Sequence, residues 1–167
     1  MTLRTMGIYR AFLAEMPRIR IVPPSVLVED GLAIRRGERE IRVRFLSRGN
    51  TAGDLVVHLP AVGVVATGDL LVHPIPFSFG SYLGEWIETL DRVKALGATV
   101  MMPGHGELQR DTRYLSSVQE LLGAVRAQMR DAVAKGTDAG AGARGAGPGG
   151  LPRTFRRRRP GTQPAVH

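Results

Sequence analysis

Apolar and polar residues alternate along two early segments of the chain, which predicts β-strands. Ile41, Val43 and Phe45 alternate with arginines, the period of a strand that has one face buried. With Leu32 to Arg35 before it and Arg36-Gly37 as the turn, this strand predicts a hairpin. A second strand pair is predicted at residues 55–59 and 64–67, joined by the turn sequence PAVG.

Other segments have helical spacing. Residues 3–15 are predicted to form a short helix that ends before Pro23-Pro24. Apolar residues recur every three or four positions over residues 81–96 and again over about residues 111–135. Gly97 and Gly136 stand where the C-terminal caps of these helices belong. Between the helices, residues 99–102 are predicted to form a short buried strand that stops at Pro103.

The composition changes after residue 135, which predicts one domain followed by a tail. The 167 residues are enough for one compact core. Residues 136–150 are mostly glycine and alanine, and the last segment contains four consecutive arginines. Such a segment buries too little surface to offset the entropy of ordering it, so residues 136–167 are predicted to be a disordered tail. This tail carries most of the net charge of +8, because it contains six arginines and one aspartate.

The absence of certain features restricts the possible chemistry. The chain has no cysteine, which excludes disulfides and thiolate metal ligands. No apolar run approaches the length of a membrane span, so no membrane association is expected. The first ten residues have no export signal, which makes the cytoplasm the default expectation.

Two loops carry residues suited to metal binding. The sequences TGDL at 67–70 and PGHG at 103–106 each follow a short buried strand, so both can leave the same edge of a sheet. Asp69 and His105 offer a carboxylate oxygen and an imidazole nitrogen, which both suit Zn²⁺. The neighbouring glycines would allow the backbone to approach a bound ion. The alternative is that Asp69 is an ordinary turn residue and His105 an ordinary loop histidine.

A longer pattern gives these residues a context. The stretch GNTAGDLVVHLPAVGVVATGDLL, followed by a helix containing Trp86 and then by VMMPGHGE, resembles the C-terminal half of the metallo-β-lactamase fold over roughly residues 20–125. The resemblance implies an α/β fold, an incomplete αββα sandwich, over residues 1–135. It implies further that Asp69 bridges two zinc ions and that His105 binds the second ion. In this family, the metal ions activate a water that attacks an ester, thioester, amide or phosphoester.

The sequence departs from the family pattern at two points. Asn50 stands where family members usually have a histidine ligand, and an amide oxygen is a poorer zinc ligand than imidazole. The HxHxDH motif, which supplies most other ligands, is not found in these residues. The interpretation is that the chain begins inside the domain, and that it binds zinc weakly and hydrolyses little or nothing as it stands.

The remaining candidates have weaker support. His73 lies four residues after Asp69 and is a candidate for a substrate-side or replacement-ligand role. His58 lies on a strand face and Trp86 on the apolar stripe of a helix, so both are predicted to be structural. Thr51 and Asp54 are expected to order the turn after Asn50. The loop at residues 74–82 either lines a substrate pocket or caps the sheet.

Three functional hypotheses follow. The first is a metal-dependent hydrolase-like protein that acts on a small ester, thioester or amide. The second is a non-catalytic scaffold or partner-binding relative, or a half-domain that another chain completes, and here an exposed sheet face would favour homo-oligomers. The third is a nucleic-acid-binding module, in which the arginine tail binds weakly and nonspecifically to phosphates.

Overall fold

The computed structural model describes residues 3–136 of the chain. Helix α1 (Leu3–Glu15) leads through a single 3₁₀ turn into an extended segment. Five strands follow: β1 (Gly31–Arg36), β2 (Arg39–Phe45), β3 (Leu55–Leu59), β4 (Val64–Val72) and β5 (Val100–His105). Helix α2 (Leu83–Ala95) connects β4 to β5, and α3 (Arg113–Ala134) comes last. The predicted tail lies outside the described residues, apart from Gly136.

The five strands form one sheet in the order β1-β2-β3-β4-β5. The first four pair antiparallel, whereas β5 lies parallel to β4. This parallel pairing is possible because α2 carries the chain back along the sheet, as a crossover helix does. Since β4 and β5 run in the same direction, their carboxyl ends meet at one edge of the sheet.

Two predicted strand ends were wrong. The predicted strand at 64–67 continues to Val72, so Asp69 lies inside β4 and not in a loop after it. The predicted strand at 99–102 continues through Pro103 to His105. Both extensions depend on the β4–β5 pairing, which continues past a register irregularity at Gly68. Gly68 adopts a φ of 53°, which a glycine tolerates far better than other residues.

Helices α2 and α3 cover one face of the sheet over β3, β4 and β5, whereas Arg42 and Arg44 of β2 are exposed on that face. The apolar stripes of the two helices pack on Val56, Val65 and Met101 to form the core, in which Trp86 is fully buried. The indole Nε1 of Trp86 donates a hydrogen bond to the carbonyl oxygen of Leu70 at 3.1 Å. The prediction that Trp86 is a core residue is therefore confirmed. The mixed α/β class that the resemblance implies is confirmed as well.

The opposite face of the sheet, which we call the open face, is apolar over all five strands. The strand registers place twelve apolar side chains on it, and none of the twelve is buried: Leu32, Ile34, Ile41, Val43, Phe45, Leu55, Val57, Leu59, Val64, Ala66, Val100 and Met102. A sheet that carries apolar side chains on both faces normally lies between two layers. The described residues thus form a helix layer and a sheet layer, which are two of the four layers of the αββα sandwich.

Within residues 3–136, no helix is both long enough and apolar enough to cross a membrane.

Candidate metal centre

Asp69 and His105 converge at the edge of the sheet where β4 and β5 end. The Oδ1 atom of Asp69 lies 3.6 Å from the Nε2 atom of His105. Both side chains are accessible to solvent, at 44% and 71% of their full exposure. The two residues that the sequence places 36 positions apart are therefore brought together, with their donor atoms open to a ligand.

Gly104 makes this approach possible. A Cβ atom at Gly104 would lie only 2.0 Å from Oδ1 of Asp69 and 2.9 Å from the carbonyl carbon of Gly68. The carboxylate therefore occupies the space above the Gly104 backbone. From the sequence, the glycines were expected to let the backbone approach a bound ion. At Gly104, the space that a Cβ atom would occupy is instead filled by the Asp69 side chain.

The same contact tells which face of the sheet carries the carboxylate. Successive residues of a strand point to opposite faces, so Gly104 shares a face with Met102, and Met102 belongs to the open face. Because the Asp69 carboxylate lies over Gly104, it lies at the margin of the open face. The Asp69 carboxylate and the apolar open face are thus continuous.

His73 is held against His105 through its backbone. The N–H of His73 donates to the carbonyl oxygen of His105 at 3.0 Å, and its imidazole packs edge to face on the Tyr114 ring, with 4.9 Å between centroids. A Cβ at Gly106 would lie 2.5 Å from the His73 carbonyl oxygen, so only glycine fits this approach. His73 therefore helps to fix the position of His105, and its substrate-side or ligand role stays a prediction.

Tyr114 is a positioning residue that sequence reasoning missed. Its hydroxyl donates to the carbonyl oxygen of Val72, at the end of β4, and so ties α3 to the strand that carries Asp69. Burial raises the pKa of Tyr114 to about 12. The sequence does place Tyr114 on the apolar stripe of a helix. A buried tyrosine hydroxyl needs a hydrogen-bond partner, so this position could have indicated a positioning role.

Asn50 lies in a well-ordered turn. Its Oδ1 accepts a hydrogen bond from the Ser81 hydroxyl at 3.1 Å. As predicted, Thr51 and Asp54 order this turn: the Asp54 carboxylate accepts from the Thr51 backbone N–H at 2.7 Å and from its hydroxyl at 2.8 Å. The Asn50 oxygen already has one protein partner, and its role as a ligand stays a prediction.

His58, the remaining histidine among the described residues, lies away from this edge, on β3 and on the helix-covered face. It is 6% exposed, and among the described residues its Nδ1 atom has no hydrogen-bond partner. Burial lowers its pKa, and the nearby Arg42 and Arg44 guanidinium groups lower it further. The structural role predicted for His58 agrees with this buried position.

The spacing of the Asp69 and His105 donor atoms can be compared with that of zinc ligands. In tetrahedral coordination, donor atoms at ordinary zinc distances lie about 3.3 Å apart, close to the observed separation. A complete centre needs three or four protein ligands, however, and within residues 3–136 no group of three or more histidine, cysteine, aspartate and glutamate side chains lies close enough to hold an ion. The described residues alone therefore do not fit a full zinc site.

Comparisons with known proteins agree with this architecture. The sequence model of the Metallo-beta-lactamase superfamily matches residues 3–105. No curated protein matches the chain significantly. Among solved structures, a metallo-beta-lactamase from Pontibacter korlensis is similar with 25% identity and a TM-score of 0.56, over 68% of this chain and 54% of that one.

A metallo-beta-lactamase family protein from Thermus thermophilus is similar at 25% identity and a TM-score of 0.54. This match covers 79% of the present chain and 48% of the other. The chain thus spans about half the length of these two structures.

Proposed function

Because the chain belongs to the metallo-beta-lactamase superfamily, we propose that it forms one half of a metal-dependent hydrolase centre, with Asp69 and His105 as two zinc ligands. The observation that carries this proposal is their convergence at 3.6 Å, on two parallel strands and with both side chains accessible. A carboxylate oxygen and an imidazole nitrogen at this spacing match two positions of a zinc coordination sphere. The substrate class is a small ester, thioester, amide or phosphoester.

The remaining ligands, in this proposal, come from polypeptide that packs on the open face. The face is apolar across five strands, and such surfaces on proteins mark sites of association. The Asp69 carboxylate lies at the margin of this face, over Gly104. A second layer that covers the face would therefore also reach the donor atoms, so that one packing event buries the apolar surface and completes the centre.

On its own, the chain is then expected to bind zinc weakly and to hydrolyse little or nothing. Two protein ligands leave the other coordination positions to water, and each lost protein ligand reduces zinc affinity strongly. Tight stoichiometric zinc together with rapid turnover of a thioester or β-lactam by the isolated chain would contradict this expectation.

Zinc titration of two variants tests the ligand roles. Replacing Asp69→Asn or His105→Ala removes one donor, and we expect zinc affinity, measured by calorimetry, to fall by about tenfold or more. Asp131→Asn is the matched control, since Asp131 is an exposed acid on the last helix. Equal losses in Asp131→Asn, or no loss in the two site variants, would rule out the proposed ligand pair.

The open face also favours a second candidate, a non-catalytic scaffold or half-domain whose role is to bind a partner. This candidate needs the apolar face but not the metal ligands. Size-exclusion chromatography with light scattering tests the need for a partner that both candidates share, because a stable monomer at high concentration would count against a face that requires a partner. A partner that binds equally well to wild type and to Asp69→Asn without zinc would favour the scaffold.

A further inference from the structure

The net charge of the described residues is concentrated on one hairpin. Strands β1 and β2 and the turn between them, residues 31–45, hold five arginines and two glutamates, a net charge of +3. The other residues of the range 3–136 hold twelve lysines or arginines and twelve aspartates or glutamates, so together they are neutral. The hairpin is therefore the part of the fold from which a positive potential extends into solvent.

One face of this hairpin lies beside the helix layer without being covered by it. We call this surface of β1 and β2 the arginine face. The strand registers place six residues on it, on the same side of the sheet as the core: Gly31, Ala33, Arg35, Glu40, Arg42 and Arg44. All of them except Glu40 are exposed, because α2 and α3 pack over β3, β4 and β5. Three guanidinium groups are thus open to solvent on one side of two neighbouring strands.

Most of the positive charge on the arginine face has no acidic partner. Glu40 is the single acid that β1 and β2 place there, and its carboxylate pairs with Arg42 at 2.9 Å. Within residues 3–136, the Arg44 side chain forms no hydrogen bond or ion pair. The pKa of His58, which lies opposite Arg42 on β3, is lowered by burial and lowered further by the Arg42 and Arg44 guanidinium groups. One carboxylate against three guanidinium groups leaves charge that an anion can neutralise.

The composition of the arginine face suits phosphate groups better than a protein partner. A protein interface has an apolar centre, whereas the only uncharged members of this face are the small residues Gly31 and Ala33. Interfaces with nucleic acids are more polar and much more positive. A guanidinium group presents paired N–H donors that match two phosphate oxygens. The face carries no aromatic ring on which a base could stack, so the contacts it can make are to the sugar–phosphate backbone.

We propose that the arginine face binds the phosphate backbone of a nucleic-acid duplex through Arg35, Arg42 and Arg44, without reading its sequence. The inference goes beyond the proposed hydrolase centre and does not depend on it. In the strand order, β1 and β2 lie at the opposite edge of the sheet from β5, which carries His105. The duplex is therefore a binding partner held away from the metal edge, and not a substrate. This surface is also distinct from the four arginines at 156–159.

Fluorescence anisotropy with a short labelled DNA duplex of arbitrary sequence tests the assignment on the full chain. Affinity is measured at several salt concentrations, because each phosphate contact adds about 0.9 to the steepness of log affinity against log salt. Arg42→Gln with Arg44→Gln should reduce that slope by about two and weaken binding at low salt about tenfold or more. Arg42→Lys with Arg44→Lys keeps both charges and should keep most of the slope.

Two control variants separate the arginine face from other sources of charge. Arg126→Gln with Arg130→Gln removes the same charge from exposed positions on α3 and should reduce the slope much less. Replacing the four arginines at 156–159 with glutamine removes the charge run of the tail, and the loss caused by Arg42→Gln with Arg44→Gln should persist in that background. Circular dichroism and urea melts verify that each variant folds.

The inference is overturned if the wild type does not bind the duplex at low salt, or if Arg42→Gln with Arg44→Gln leaves the slope unchanged. It is also overturned if the α3 variant loses as much, or if the tail variant alone abolishes binding. Poly-L-glutamate that binds as tightly as the duplex would assign the face to acidic polypeptides instead. Asp69→Asn should bind the duplex at least as well as wild type, whatever its effect on zinc, and weaker binding would place the duplex at the metal edge.

Discussion

Replacing Gly104→Ala tests the geometry of the metal centre most directly. The added methyl group would lie 2.0 Å from Oδ1 of Asp69, 2.9 Å from the carbonyl carbon of Gly68 and 3.0 Å from the Asp69 nitrogen. The backbone of Gly104 does not have a left-handed φ, so alanine brings no conformational strain of its own. The expected effect therefore comes from the steric clash.

The size of the clash can be worked out from these distances. Ordinary van der Waals contact for a Cβ atom begins at 3.4 Å, so Oδ1 must move by about 1.4 Å, the difference between 2.0 and 3.4 Å. The Gly68 and Asp69 backbone atoms must also move by about 0.4–0.5 Å, which separates β4 from β5. Overpacking of this kind costs about 1–3 kcal/mol of unfolding free energy.

The displacement matters more for metal binding than for folding. Zinc ligand distances tolerate deviations of about 0.2 Å, far less than the shift forced on the carboxylate. We therefore expect zinc affinity to fall about tenfold or more in Gly104→Ala, as in the variant that lacks the carboxylate. In an Asp69→Ala background the closest clash is absent, so the stability cost of Gly104→Ala should be smaller.

Urea denaturation, followed by Trp86 fluorescence and circular dichroism, measures the stability change, and calorimetry measures zinc affinity. Gly53→Ala is the control, because nothing lies within 4 Å of a Cβ atom at that glycine. A Gly104→Ala protein with unchanged stability and unchanged zinc affinity would refute the placement of the Asp69 carboxylate over Gly104.

Three further outcomes follow from the core and the helices. Because burial lowers the pKa of His58 below its usual 6.5, the unfolded chain binds more protons there than the folded chain. Stability should therefore be full above pH 6.5 and fall as the pH drops below it, and His58→Leu should weaken that slope in urea melts. Trp86→Phe removes the donor to the Leu70 carbonyl and should cost about 1–3 kcal/mol by circular dichroism; a change below about 0.5 kcal/mol would contradict the hydrogen bond. No atom lies within 4 Å of a Cβ atom at Gly123 in α3. Gly123→Ala should therefore raise the free energy of unfolding by about 0.5–1 kcal/mol, and a decrease in urea melts would show that the new methyl group meets a neighbour.

Local sequence patterns were sufficient for the element types. The hairpin strands, the two long helices and the glycine after α2 were all predicted from apolar spacing and turn residues. Those signals are local, because the period of a strand or helix is set by its own backbone geometry. Asp69 and His105 were also identified as metal-binding candidates from local sequence, since each stands near the end of an apolar strand and next to glycine.

What the sequence could not determine depends on contacts between distant segments. The extension of β4 to Val72 and of β5 to His105 follows from their parallel pairing across a register irregularity at Gly68. The backbone bond that holds His73 against His105 depends on the same pairing.

The sequence by itself determined the type and approximate position of each element and which residues are candidate ligands, because side-chain periodicity and donor chemistry are properties of short segments. Only the tertiary structure decided that the Asp69 carboxylate lies over Gly104, at the margin of an apolar sheet face. The reason is physical: a shift of one residue in strand register moves every side chain of that strand to the other face, and register is fixed by packing between strands that are far apart in the chain.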